Sequence, residues 1–227
     1  MGGDKLGSRM TYGNYLQLDK LLTLQSGPDG HDPLPSNHEM HFIVVHQAFE
    51  LWFKQINREL EDTLRLMNND EIDETNIPVI VRHLERCSEI FRLLASQWKV
   101  METLSPQDFL AFRDRLGTSS GFESWQLRTL EMLLGLKSEQ RIGGMDPMEH
   151  NKKLHSEGKL SDEVMANMER IATLPSLYEV LLRWLERTPV NGVSGDKEVM
   201  TEFVESHISS MIEPVSYTHL RAHETDY

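Results

Sequence analysis

Residues 36–60 read SNHEMHFIVVHQAFELWFKQINREL, and this stretch decides the fold class. Ser36 and Glu39 have the spacing of a capping box. In this motif the serine side chain accepts a hydrogen bond from a free backbone N–H of the first helical turn, and the glutamate side chain accepts one from the backbone N–H of the serine. Apolar residues then recur every three or four positions, which is the period of one helix face. The members of this stripe are Phe42, Val45, Phe49, Trp52, Phe53, Ile56 and Leu60. The pattern predicts a helix that runs to about Met67.

A second long helix is predicted between Ile77 and Met101. Its apolar residues alternate steps of three and four, which is typical of a seam that packs lengthwise against another helix. Almost no segment of the chain alternates with period two, so strands are not expected. We therefore predict an all-α fold, a helical bundle with two long antiparallel helices at its centre. The seam residues are Ile77, Ile80, Leu84, Cys87, Phe91, Leu94, Trp98 and Met101.

Start and stop signals predict several shorter helices after these two. Serine or aspartate stands at each expected start, and glycine or proline stands at most of the expected ends. A second capping-box pattern, Ser120 with Glu123, is expected to open one of these helices directly. The predicted ranges are 105–117, 120–135, 146–158, a helix from Ser161, a helix between Pro175 and Pro189, and 195–212.

The chain divides into three segments by pattern. Residues 1–37 read as an N-terminal arm and residues 38–213 as one helical domain. Residues 214–227 continue no apolar stripe and resemble read-through of sequencing-adaptor DNA, so we interpret them as a non-native tail. A native disordered tail is the alternative interpretation.

Composition limits the classes of partner. The formal net charge is -13, which argues against nucleic acid or an anionic membrane, because both need a basic surface. No stretch reaches the roughly 18 apolar residues that a membrane helix needs. The single cysteine, Cys87, leaves no intramolecular disulfide to form, which favours a cytoplasmic location.

His46 is the first candidate for chemistry. It lies four residues after Phe42 and three before Phe49, within the aromatic stripe. Partial desolvation there favours a neutral imidazole that gives or takes one hydrogen bond. The alternative is a core histidine bonded to a backbone carbonyl or to Glu50. No metal site is predicted, because His38, His41 and His46 do not share one narrow helix face.

Arg113 is the second candidate. It follows Phe109 and Phe112 in the run FLAFRDRLG, so its planar fork would lie beside aromatic rings. That combination offers a planar fork for a carboxylate, with a stacking surface next to it. The alternative is a salt bridge to Asp108 or Asp114, or simple solvation.

Several long motifs resemble the tryptophan 2,3-dioxygenase family. They are MTYGNYLQLDKLL at 10–22, HEMHFIVVHQAFELWFKQ at 38–55, FLAFRD at 109–114, LGTSSGFES at 116–124 and PSLYE at 175–179. The resemblance covers roughly residues 10–213. It implies a helical homotetramer that uses haem b to add both atoms of O₂ to the indole ring of L-tryptophan, giving N-formyl-L-kynurenine. The related indoleamine dioxygenase activity on broader indoles is a weaker match to the tyrosine segment and the Phe-Arg motif.

The resemblance also assigns roles to residues one by one. His46 matches the distal histidine that binds the indole N–H, and Arg113 matches the arginine that clamps the substrate carboxylate. Phe42 and Phe109 match aromatic residues beside the substrate, with Ile43, Val44 and Val45 next to them. Tyr12, Tyr15 and Leu16 match a segment that reaches a neighbouring subunit's pocket. Trp98, Ser120 and Gly121 match residues near the haem edge.

The family's proximal histidine, which binds the iron, is expected further along than these motifs. His207 does not match it, and His219 and His223 lie in the suspect tail. A haem without its axial ligand is bound weakly and is not poised for O₂. We therefore expect this chain to be an inactive, C-terminally truncated fragment. The alternatives are a non-catalytic indole- or tryptophan-binding module and a helical oligomerisation module.

Overall fold

The computed structural model describes residues 10–26 and 34–188, together with residues 198, 201–202 and 205–206. These residues form helices and no strand, which confirms the all-α class. Five residues of the predicted 195–212 helix are described, and they are helical; His207 and the predicted tail at 214–227 lie outside the described residues. None of the described helices is long and apolar enough to cross a membrane.

Two long helices, α3 and α4, are flanked by shorter ones. The α-helices are α1 (Tyr12–Leu16), α2 (Leu18–Leu21), α3 (Asn37–Met67), α4 (Ile77–Met101), α5 (Pro106–Leu110), α6 (Trp125–Leu134), α7 (Pro147–Ser156), α8 (Asp162–Ala172) and α9 (Leu177–Arg187). Short 3₁₀ turns lie at Glu74–Asn76, Arg113–Leu116, Gly121–Glu123, Ser138–Gln140 and Ile142–Gly144.

The chain forms two compact units. The first unit comprises Met1–Gln55 and Cys87–Ser124, and the second unit comprises Ile56–Arg86 and Trp125–Tyr227. Helices α3 and α4 therefore each contribute one half to each unit. Both predicted long helices are confirmed, with bounds close to those that the sequence predicts.

In the first unit, the N-terminal half of α3 packs on the C-terminal half of α4. The Gln97 amide donates a hydrogen bond of 3.0 Å to the Val45 carbonyl, and the Phe49 and Trp98 ring centroids lie 5.0 Å apart. Ser36 Oγ accepts from the Glu39 N–H at 3.1 Å, as the capping box predicts. The Glu39 carboxylate, however, forms an ion pair with Arg115.

In the second unit, the other halves of the long helices pair in antiparallel fashion. Glu59 on α3 forms an ion pair with Arg86 on α4, and Thr63 Oγ lies 3.3 Å from Nδ1 of His83, so contacts advance along one helix as they retreat along the other. The most deeply buried apolar side chains of this unit include Ile56, Leu60, Leu64, Leu133, Met168, Ile171 and Val180. Their burial supplies the main stabilising term of the unit.

The buried face of α4 differs from the predicted seam. Ile80, Cys87, Ile90 and Leu94 are buried, whereas Trp98 of the predicted seam is 54% exposed. The inner face also includes polar His83 and Gln97, which bond to α3. A hydropathy pattern gives polar residues no weight. The predicted seam therefore lies too far round the helix, on the side of Phe91 and Trp98, relative to the face that is buried.

Two of the predicted shorter helices are interrupted. The predicted 105–117 helix is α5 followed by the 3₁₀ turn Arg113–Leu116. The Ser120–Glu123 pattern opens a 3₁₀ turn rather than α6, because Ser124 is extended (φ -62°, ψ 101°). Gly117 ends the first turn at φ 56°, in the region that favours glycine. Both interruptions place candidate site residues on short, sharply bent segments.

Candidate functional site

A cavity of about 500 Å³ lies in the first unit. One wall is the N-terminal half of α3 and the other is the bent segment 105–124. The lining residues are Phe42, His46, Glu50, Phe109, Arg113, Leu116, Ser119, Ser120, Gly121 and Ser124. The cavity therefore brings together six of the thirteen residues that the sequence indicates, including His46 and Arg113.

Helix period explains the α3 wall. Phe42, His46 and Glu50 are spaced four residues apart, so they follow one another along the same face. The rings of Phe42 and His46 are in contact, with centroids 4.0 Å apart and planes tilted by 37°. Local spacing alone therefore predicts that Phe42 and His46 share this wall, whereas Glu50 was not assigned to it.

The ring of His46 is oriented by the backbone of its own helix. His46 Nδ1 lies 2.8 Å from the Phe42 carbonyl oxygen. A carbonyl only accepts, so the neutral ring carries its proton on Nδ1 and leaves Nε2 as an acceptor. No other described residue bonds to this imidazole. The backbone contact that sequence reasoning offered as an alternative is therefore present, and it leaves Nε2 available to a ligand.

Three phenylalanines form the aromatic wall. Phe42 lies 5.8 Å from Phe109 and 5.6 Å from Phe112 between ring centroids, and Phe109 meets Phe112 edge-on at 5.4 Å. Phe112 is buried and anchors the other two, which line the cavity. Such a cluster suits a flat aromatic ligand. The sequence reasoning did not assign Phe112, although its spacing from Phe109 was a usable signal.

Arg113 is held by a neutral group. Its Nη1 donates to the Gly117 carbonyl at 2.9 Å. Within the described part of the chain, no carboxylate pairs with it; Asp108 instead bonds to Ser105 Oγ and lies 3.5 Å from His38. The salt bridges to Asp108 and Asp114 that the sequence allowed are both absent from the described residues. The guanidinium thus keeps its charge and most of its donors for a bound anion.

The serine-rich side of the cavity supplies small polar groups. Ser120 Oγ accepts from the Phe122 N–H at 3.3 Å, which leaves its hydroxyl proton able to donate. A side-chain carbon added at Gly121 would meet nothing within 4 Å, so there is room for a group at this edge. The Ser120 hydroxyl and the open space at Gly121 thus give this edge one hydrogen-bond donor and room for an anionic group.

Several predicted site residues lie outside the cavity lining. Val45 is buried with its carbonyl bound by Gln97, and Val44 is about half exposed. Trp98 rests on Phe49. Three more are on α1, where Tyr12, Tyr15 and Leu16 are exposed. Ile43 is half-buried and also does not line the cavity.

Four lining residues were not assigned from the sequence: Glu50, Leu116, Ser119 and Ser124. Glu50 had a usable signal, since it lies one turn beyond His46 on the same face. Leu116, Ser119 and Ser124 enter the cavity through the sharp turns at Gly117 and Ser124, which no helical period predicts.

The fold and the cavity together define a class: a helical protein whose pocket combines an aromatic wall, an imidazole oriented by a backbone carbonyl, and a guanidinium that no carboxylate among the described residues pairs with. Comparison with protein families agrees with the sequence resemblance. The family described as Tryptophan 2,3-dioxygenase matches residues 2–224. The chain belongs to the tryptophan 2,3-dioxygenase family.

Individual relatives give the same result. The chain is 43% identical over 193 residues to the tryptophan 2,3-dioxygenase of Anopheles gambiae, covering 83% of this chain and 47% of the relative. It is 37% identical over 211 residues to that of Sorangium cellulosum, covering 92% and 51%. Tryptophan 2,3-dioxygenase 2 of Ralstonia nicotianae is 38% identical over 203 residues, covering 89% and 55%. The chain thus spans about half the length of the curated relatives it matches.

Proposed function

We propose that this chain forms the substrate-recognising side of a haem-dependent dioxygenase that adds both atoms of O₂ to the indole ring of L-tryptophan. The product is N-formyl-L-kynurenine, and the reaction begins tryptophan breakdown. One observation carries the proposal: the Arg113 fork and the His46 acceptor line the same cavity as Phe42 and Phe109. Those groups match the carboxylate, the indole N–H and the indole ring of tryptophan.

Each residue has a distinct part in holding the substrate. Arg113 binds the carboxylate through the donors that Gly117 does not use, and a fork geometry suits a carboxylate better than a point charge does. Phe42 and Phe109 pack on the indole. His46 accepts a hydrogen bond from the indole N–H at Nε2, because Nδ1 is committed to the Phe42 carbonyl. Together they fix the ring while excluding water.

Haem b is the cofactor that the family resemblance implies. When bound, it supplies the iron at which O₂ is activated. Ser120 and the open edge at Gly121 would hold a propionate, and Trp98 would lie near the macrocycle. Among the cavity-lining residues His46 is the only histidine, and it is assigned to the indole. We therefore infer that these 227 residues on their own bind tryptophan without oxidising it.

Assembly and location are part of the same proposal. Tyr12 and Tyr15 on α1 are 77% and 75% exposed, which supports docking of this segment on a neighbouring subunit of a homotetramer. The lone Cys87 supports a reducing, cytoplasmic setting.

Calorimetric titration of the 227-residue chain with L-tryptophan tests the binding claim. Arg113→Ala should weaken binding by about 100-fold, since it removes a charge-assisted pair of hydrogen bonds. Arg65→Ala, which breaks an exposed ion pair with Asp62, is the matched control and should bind as the wild type does. No binding by the wild type at millimolar ligand would contradict the proposal.

Turnover is tested separately by mass spectrometry. The chain is incubated with haem, a reductant, O₂ and L-tryptophan, and a product heavier by two oxygen atoms is sought. Binding without product supports a chain that recognises the substrate but does not oxidise it. Product formation would overturn the inference of inactivity, while supporting the assigned reaction.

A further inference from the structure

Glu39 is a buried carboxylate beside the cavity. It lies in the first turn of α3 and is 4% exposed. Its Oε2 is 3.0 Å from Nη1 of Arg115, and its backbone N–H is bound by Ser36 Oγ. A carboxylate removed from water needs such a partner, because an unpaired buried charge is strongly destabilising. The Glu39–Arg115 ion pair therefore holds Arg115 strongly to the first turn of α3.

Arg115 belongs to the same short turn as Arg113. The 3₁₀ turn Arg113–Leu116 contains both arginines, and it ends at Gly117, whose carbonyl holds the Arg113 fork. The pair with Glu39 thus ties this turn to the N-terminus of α3. His46 lies on the same helix, seven residues or about 10 Å further along. The ion pair connects the elements that carry the anion donor and the imidazole acceptor.

Weaker contacts attach the preceding residues to the same helix. His38 and Asp108 lie 3.5 Å apart on exposed side chains, and the rings of Phe109 and Phe112 pack on Phe42. An exposed ion pair contributes little stability, and an aromatic contact constrains direction less than a charged fork does. Of these contacts, the Glu39–Arg115 pair is the one that fixes a direction. Neither member lines the cavity.

We propose that Glu39 and Arg115 are positioning residues that fix the Arg113 turn against α3, and that they set how well the cavity distinguishes L-tryptophan from indoles without a carboxylate. The second clause rests on the proposed function, whereas the first does not. Loosening the pair displaces the guanidinium and leaves the Phe42–His46 wall in place, since α3 holds both rings. Recognition of the carboxylate then weakens while recognition of the indole persists.

The experiment uses Arg115→Gln and Glu39→Gln in the 227-residue chain. Calorimetry gives the affinities for L-tryptophan and for tryptamine, which lacks the carboxylate. In ¹H–¹⁵N NMR spectra, the chemical shift of the Arg113 side-chain Nε–H group reports the position of the fork without any ligand. The signal is assigned by its loss in Arg113→Lys. Glu89→Gln, which removes an exposed ion pair with Arg92 on α4, is the matched control.

The expected result is selective. L-tryptophan affinity falls by about tenfold in both variants, tryptamine affinity is unchanged, and the Arg113 signal shifts. Arg115→Lys keeps the charge and should recover part of the loss. Glu89→Gln should resemble the wild type in all three measurements.

Three results would overturn the proposal: an unmoved Arg113 signal, an equal loss of both ligands, or a loss in the control as large as in the variants. If Glu39→Gln does not fold, Arg115→Gln and Arg115→Lys decide by the same criteria, because Arg115 is about one-third exposed. If the wild type binds no tryptophan, the proposed function fails. The Arg113 signal then decides the positioning claim by itself.

Discussion

Arg113 in the first unit is partly buried and Arg128 in the second unit is fully buried, and their partners differ. Arg128 is fully buried, and its Nη1 lies 2.9 Å from the Glu131 carboxylate. Arg113 is half-buried, lines a cavity and is held by the carbonyl of Gly117. Arg128 is neutralised by its own fold, whereas Arg113 is only oriented by it.

The difference shows how a structural charge can be told from one kept for a ligand. A carboxylate partner neutralises the charge of an arginine. A backbone carbonyl orients the guanidinium but leaves its charge unpaired. The same contrast applies to histidines. His83 in the second unit lies 3.6 Å from the Glu59 carboxylate, while His46 is oriented by a carbonyl. We therefore expect changes in the second unit to affect folding and changes in the first unit to affect binding.

The largest effect is expected for Arg128→Ala. It leaves Glu131 buried without its partner, which should lower the free energy of unfolding by about 3–5 kcal/mol. Urea unfolding followed by circular dichroism measures the loss. The double variant Arg128→Met, Glu131→Met removes both charges and should recover most of it. A single variant as stable as the wild type would break the contrast between the two arginines.

The next effect compares two glycines. Gly135 has φ 82°, and an added Cβ would lie 2.6 Å from Ser176 Oγ, whereas a Cβ at Gly121 would meet nothing within 4 Å. Gly135→Ala should therefore cost about 2 kcal/mol, and Gly121→Ala should leave stability nearly unchanged. Thermal unfolding of both variants checks this. If the two variants melted at the same temperature, the close approach of Ser176 to Gly135 would not be a packing constraint.

Arg113→Lys gives a smaller effect of a different kind. The charge remains but the fork is lost, so L-tryptophan affinity should fall by about tenfold, or about 1.4 kcal/mol. The melting temperature should not change, because no described carboxylate depends on this arginine. Calorimetry and thermal unfolding on the same sample measure the affinity and the stability separately. A fall in stability without a fall in affinity would assign Arg113 a structural role like that of Arg128.

The smallest effect concerns the cap of α9. Hydrogen bonds from the backbone and side chain of Ser176 lower the pKa of Glu179 below its ordinary value of 4.5. As the pH falls, Glu179 is protonated in the unfolded chain before it is protonated in the folded chain. Its contribution to stability is therefore complete above pH 4.5 and is lost as the pH falls through the lowered pKa of the folded state. The stability difference between wild type and Glu179→Gln, at most about 1 kcal/mol, should shrink on acidification. A difference that stays constant in urea titrations across this range would contradict the capping role.

Local periodicity predicted more of the fold than of the site. Helices α3 and α4, and the shared face of Phe42 and His46, follow from the 3.6-residue period, because their determinants lie within one or two turns. The inner-face roles of His83 and Gln97 could not be predicted, since their partners are 20 and 52 residues away in sequence. Hydropathy gives polar residues no weight at such positions.

The Arg113 wall shows the same limit. The sequence placed Arg113 beside phenylalanines, but it gave no sign that Gly117 would hold the fork or that Glu39 would bind Arg115. Both contacts depend on a sharp turn that replaces the expected helix. The family resemblance named six of the ten residues that line the cavity, and the geometry of the cavity required the structure.

A crystal structure of this chain with L-tryptophan would decide whether Arg113 and His46 are kept for the substrate. We expect the ligand carboxylate within about 2.7–3.2 Å of the Arg113 guanidinium and the indole nitrogen within the same range of His46 Nε2. The indole ring should lie against Phe42. A ligand bound with its carboxylate away from Arg113, or found only outside this cavity at saturating concentration, would contradict this assignment.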